Sequence, residues 1–221
     1  MTPRKVYLDN SATTKVDKRV LEAMLPYFSE TYGNPNSLHA WGRDARAGVD
    51  KARAQVAELI GAEPKDIIFT GGGSEADNLA IKGTTWARKE KGGHIITSAI
   101  EHHALLDTVR WLGKMGYDFT VLPVDKYGMV DPKELEAAIR PDTFLTSIMF
   151  ANNEIGTIEP IAELGAICRK HGVLFHTDGV QATGHVKIDM KELPIDMMTM
   201  AAHKMYGPKG VGALYVRKGL K

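Results

Sequence analysis

The chain has 221 residues, 43% hydrophobic and 25% charged, with 28 basic side chains against 27 acidic ones. That length buries a sizeable single core, and a net charge of +1 with scattered basic residues gives no footprint for nucleic acid or an anionic membrane. No apolar run approaches the ~20 residues of a membrane span, and a lone cysteine excludes an internal disulfide framework and fits a reducing, cytoplasmic compartment.

Along the chain, Met1-Thr2-Pro3-Arg4-Lys5 is expected to lead into a strand rather than a signal-peptide core. Val49, Ala52, Val56, Leu59 and Ile60 then recur at helical spacing, with Gly61 as the stop. Strands are expected over 67–70, 94–97, 119–122, 144–150, 173–177, 195–200 and 211–216. A second helical stripe, Ile161, Leu164, Ile167 and Cys168, closes before Gly172 and places Cys168 in the core. Runs such as Ile148-Met149-Phe150 are apolar without alternation, as strands covered on both faces are. The alternation of strands and helices argues an α/β fold, a mostly parallel sheet with helices on both faces, in one domain.

In such sheets ligands gather beyond the carboxyl ends of the strands, and the chemistry-bearing residues fall there. Lys204 follows one strand and Asp178 ends another. A lysine amine forms a Schiff base with the aldehyde of pyridoxal phosphate (PLP), and a carboxylate keeps the pyridine nitrogen protonated. Asp178 is equally placed to cap a helix. Gln181, three residues on, can meet the phenolic oxygen of the ring. Gly71-Gly72-Gly73-Ser74 joins a strand to a helix, where backbone N–H groups and the helix dipole suit a phosphate; Ser74 with Asp77 also has the spacing of a capping box. His102, in Glu101-His102-His103, can lie over a planar ring or cap a helix. Asn152 and Asn153 can offer an amide to a cofactor or simply make a turn. No histidine or cysteine spacing suggests a metal site.

Together these residues resemble the cysteine desulfurase family of PLP enzymes, of the class V aminotransferase fold. The likeness runs from Tyr7-Leu8-Asp9-Asn10-Ser11-Ala12-Thr13-Thr14 through Gly33-Asn34-Pro35 with Ser37 and His39. It continues over Gly71 to Asn78, Glu101-His102, Ala151 to Thr157 and Thr177 to Gln181, and ends at His203-Lys204 with Tyr206 to Gly210. It implies a PLP-binding large domain over 1–221, aminotransferase-like, with residues 1–14 as an N-terminal active-site segment. Lys204 would carry the cofactor and move the substrate proton, His102 would stack on the ring, and Asp178 would pair with its nitrogen. Asn153 and Gln181 would sit at the ring hydroxyl, and Gly73, Ser74 and His203 at the phosphate. The implied reaction converts L-cysteine to L-alanine and passes sulfur to an acceptor protein for iron–sulfur clusters and thiolated products, in a homodimer. A selenocysteine lyase, another class V PLP enzyme and a non-catalytic PLP-binding fragment share the same large domain. Two departures stand out. Ala201 replaces the serine usual in the family, and the family's persulfide cysteine, carboxylate-binding arginine and small domain lie beyond Lys221, so the isolated chain is expected to be an incomplete enzyme of low activity.

Overall fold

The structure is a computed structural model, and it describes residues 3–88 and 92–220. The expectations for Met1 and Thr2, and the last residue of the expected domain, Lys221, lie outside those residues. The expected N-terminal strand does not form: from Pro3 to Asp17 the chain runs without regular structure. Three helices follow, α1 (Lys18–Met24), α2 (Pro26–Ser29) and α3 (Ala40–Leu59). Then strands and helices alternate: β1 (Ile67–Thr70), α4 (Gly73–Ala87), β2 (His94–Ser98), α5 (His103–Lys114), β3 (Asp118–Leu122), α6 (Pro132–Ala138), β4 (Thr143–Ser147), α7 (Ile161–Lys170), β5 (Leu174–Asp178), β6 (Met197–Ala201) and β7 (Gly212–Val216).

The seven strands form one sheet in the order β1-β7-β6-β5-β4-β2-β3. The pairs from β6 to β3 are parallel, and β7 runs antiparallel between β6 and β1. The parallel strands are apolar on both faces because both are covered. Ile95, Leu145, Met197 and Leu214 pack with Ala76, Ala80 and Ile81 of α4 and Leu105, Val109 and Leu112 of α5. Their neighbours Ile96, Met198 and Tyr215 turn to the other face, against Leu164 and Cys168 of α7 and Ala57 of α3. Successive strand residues entering opposite cores is the period-2 rule at work.

Both helical stripes form, but they meet different surroundings. On α7, Ile161, Leu164 and Cys168 are buried, and Gly172 takes the left-handed φ of 70° that ends the helix. On α3 only Gly42, Ala45 and Ala57 are buried. Val49 and Ala52 line an open groove of about 950 Å³, shared with Val20 and Met24 of α1 and with Phe69. The expected strand over 144–150 ends at Ser147, although the N–H groups of Ile148 and Phe150 still donate to the carbonyls of His176 and Asp178 on β5. No helix of the described residues is long and apolar enough to cross a membrane.

Candidate active site

The carboxyl ends of β1, β2, β4, β5 and β6 lie on one side of the sheet, and a cavity of about 190 Å³ opens there. Gly73, Ser74, His102, Asn153, Asp178, Gln181, His203 and Lys204 all line it, together with Ala12, Asp77, Met149 and Ala201. The strands explain most of the convergence: all of these groups but Ala12 follow or end a strand within several residues, so the sheet register fixes their spacing.

At the floor, Asp178 is 6% exposed and accepts the Val180 N–H at 2.9 Å. Burial raises its carboxyl above the ordinary value, against the lowering effects of that bond, His102 and Lys204. That bond lies within its own turn, and the residue also lines the cavity. Below it, His176 is fully buried between Ser147 Oγ at 2.7 Å and Thr199 Oγ1 at 3.0 Å, and desolvation pushes its pKa down to about 3. It is a neutral spacer.

Lys204 closes a short 3-10 turn, Ala202–Lys204, directly after β6. Its amine is half-buried and its pKa is lowered by burial, which outweighs the attraction of Asp178 and Asp9. Lys204 Nζ donates to the Ser11 carbonyl, and Gln181 Nε2 donates to the same oxygen at 2.9 Å. The N-terminal segment thus reaches the lysine from the far end of the chain. Next to it, His203 Nδ1 lies 3.1 Å from Thr13 Oγ1, and its pKa is lowered by burial and by Lys204 and Lys209.

At the opposite wall α4 begins at Gly73, with Gly72 as its cap and no side-chain capping bond. The capping box of Ser74 and Asp77 is therefore not made, and Ser74 is left lining the cavity. The Gly71 N–H is held instead by Glu75 Oε2 at 2.6 Å. His102 does both things its position allows: its Nδ1 caps α5 by accepting the Ala104 N–H at 3.1 Å, and its ring lines the cavity. The two asparagines divide their roles. Asn152 Oδ1 accepts the N–H groups of Glu154 and Ile155 at 2.8 and 3.0 Å and makes the turn, which turns Asn153 to the cavity.

Sequence reasoning missed two buried acids. Asp77 is 2% exposed and lies one turn into α4. Its Oδ1 is 3.8 Å from His176 Nε2 and, among the described residues, that oxygen has no hydrogen-bond partner, while the carboxyl bonds to the Thr199 side chain. Burial first, and Asp178 second, push its carboxyl well above the ordinary value. Glu101 Oε1 accepts Ser98 Oγ–H at 2.6 Å and the Met149 N–H at 2.8 Å, and burial raises its pKa to about 8. The signal for Asp77 was its place four residues after Gly73, on the helix face that looks back at the strand ends. Among the described residues no group of three histidines, cysteines or acids could hold a metal.

The family described as aminotransferase class V matches residues 6–221. A protein named "Cysteine desulfurase IscS" from Methanosarcina thermophila is 57% identical over 218 residues, covering 99% of this chain and 54% of the relative. One of the same name from Dictyoglomus turgidum is 54% identical over 218 residues, 99% of this chain and 55% of the relative. A solved structure described as "SspA in complex with cysteine" superposes with a TM-score of 0.95 at 43% identity, over 97% of this chain and 62% of that one. The chain spans about half the length of the curated relatives it matches.

Proposed function

Given that the chain belongs to the class V aminotransferases, a PLP-dependent family, we propose that it supplies the cofactor site of a cysteine desulfurase, with Lys204 as the cofactor-bearing residue. The observation that carries this reading is the single cavity around Lys204, lined by all eight residues picked out from the sequence. The donor and acceptor set fits PLP: a buried acid that lines the cavity, a half-buried amine of lowered pKa, and a helix N-terminus with a free serine at the other wall. PLP, when bound, supplies an aldehyde for covalent attachment and a ring that takes up electron density from the substrate.

The residues divide the work in this reading. Asp178, as a carboxylate, would hold the ring nitrogen protonated; burial alone favours its neutral form, so the positive charge of that nitrogen is what would keep it ionised. Ser74, the Gly73 backbone and His203 hold the phosphate, where the dipole of α4 adds positive charge. Asn153 and Gln181, which line the cavity, would hold the ring hydroxyl, and the His102 ring would pack against the cofactor. Lys204, whose burial makes its amine easier to deprotonate, carries a proton to and from the substrate. L-cysteine is the proposed substrate, and a homodimer in the cytoplasm is the proposed working form. The sulfur goes to a thiol supplied from outside these residues, ultimately to an acceptor protein for iron–sulfur cluster assembly. Cys168 cannot take it, being fully buried in the α7 core with a thiol that burial pushes up to about 11.

The test is covalent trapping. The purified chain with PLP should absorb in the visible, and borohydride should fix a pyridoxyl mass on the peptide carrying Lys204. Labelling spread over several lysines, or unchanged by Lys204→Ala, would sink the proposal.

A further inference from the structure

Thr14 is the point at which the N-terminal segment is drawn into the protein. It is 3% exposed, whereas Ser11 and Ala12 stand open. Its N–H donates to the His203 carbonyl at 2.9 Å, and its hydroxyl donates to that same oxygen at 2.9 Å across 189 residues of sequence. The hydroxyl oxygen in turn accepts the Tyr206 N–H at 2.9 Å. The three bonds fall on the residue before Lys204 and on the residue two after it.

That stretch needs holding. Ala202–Lys204 is a single 3-10 turn, and Tyr206 has φ of 62°, the one non-glycine of positive φ among the described residues. An L-residue keeps that conformation only where its surroundings impose it. The Asp17 N–H adds a bond to the Tyr206 carbonyl at 3.0 Å. None of these contacts touches the amine itself, but together they fix the main chain from which the side chain projects.

We propose that Thr14 is a positioning residue that aims the Lys204 side chain into the cavity by clamping the main chain on both sides of it. The inference rests on the reading of Lys204 as the cofactor-bearing lysine. A hydroxyl that only fastened the N-terminal segment would add to stability and leave the state of the lysine alone. A clamp that aims the side chain also keeps its amine out of water.

Thr14→Val keeps the shape and loses both hydroxyl bonds, and Thr14→Ser keeps them. The readout, taken on the 221-residue chain without cofactor, is the pH dependence of Lys204 acylation by acetic anhydride, followed on its peptide by mass spectrometry. Asp178, Asp9 and His203 are the ionisable groups about the amine, and none is altered by either variant. In Thr14→Val the midpoint should move up towards that of an ordinary lysine, and labelling at neutral pH should fall about three- to tenfold. Thr14→Ser should restore both. An unchanged midpoint in folded Thr14→Val, or an equal shift in Thr14→Ser, would overturn the proposal. Should Thr14→Val not fold, the unaltered chain decides: the Tyr206 N–H should exchange as slowly as the amides of β6, and exchange at the rate of an exposed loop would overturn the proposal. Because no PLP is present, failure of the chain to bind cofactor would be a separate result.

Discussion

At the scale of single residues, the sequence marked the groups that sit directly at strand ends. Asp178, Lys204 and Ser74 could be picked out because a polar residue after an apolar run has few places to go. It did not say which of two available roles each takes. Asp178 accepts the Val180 N–H within its own turn and lines the cavity. Asp178→Asn should preserve that bond and the fold, and weaken PLP binding about tenfold to a hundredfold through loss of a charge-assisted partner. Cofactor titration beside thermal unfolding would show it, and an equal affinity would leave Asp178 a local cap. Ala201 offers the opposite experiment. It is 2% exposed at the end of β6, and a Cβ on Gly73 would lie 3.5 Å from its own. A hydroxyl there faces the start of α4, so Ala201→Ser should tighten PLP binding by up to about one to two powers of ten. Equal or weaker binding would mean that Ser74, His203 and backbone donors already satisfy the phosphate.

Among the elements, all seven strands were legible, since short β-rich runs between turn signals admit few other readings. What stayed hidden was how the loops are tied together. Glu101 is the example: it joins the loop after β2 to the chain leaving β4, through Ser98 and the Met149 N–H. Nothing in Ser98-Ala99-Ile100-Glu101 announces a bond made 48 residues away. Its buried carboxyl titrates at about 8 rather than 4.5, so the folded state holds its proton more tightly than the unfolded chain. Stability from this group is therefore intact below the lower value and is lost as pH rises towards the upper one. Glu101→Gln removes the titration while keeping an oxygen for the two donors. Its melting temperature should fall less than that of the unaltered chain as pH rises from 4.5 to 8, and parallel curves would show that Glu101 is ionised throughout. The stripe on α3 failed differently. Its spacing shows a helix, but spacing alone cannot say that Val49 and Ala52 look into a groove rather than a core.

For the whole molecule, the mostly parallel sheet with helices on both faces and the family could be read from the sequence; the likeness also put residues 1–14 at the site, but not the individual bonds by which Ser11, Thr13 and Thr14 reach the Lys204 turn. The lone cysteine makes a clear prediction at this scale. The isolated 221-residue chain should release no sulfide from L-cysteine above the rate of free PLP, and Cys168→Ser should leave that background unchanged. A turnover abolished by Cys168→Ser would overturn both the burial argument and the external-thiol reading. A thiol reagent should likewise reach Cys168 only on unfolding, given its buried place on α7 and its raised pKa. One feature of the topology also bears on how the protein is made. β7 lies between β1 and β6, and Thr14 bonds to His203 and Tyr206. During synthesis the ribosome releases Thr14 and β1 long before their partners exist, and contacts so distant in sequence form late and slowly. Until the stretch that closes the sheet has emerged, β1 remains an unpaired edge and the nascent chain has no aimed lysine to offer, so the site is the last part of these residues to mature.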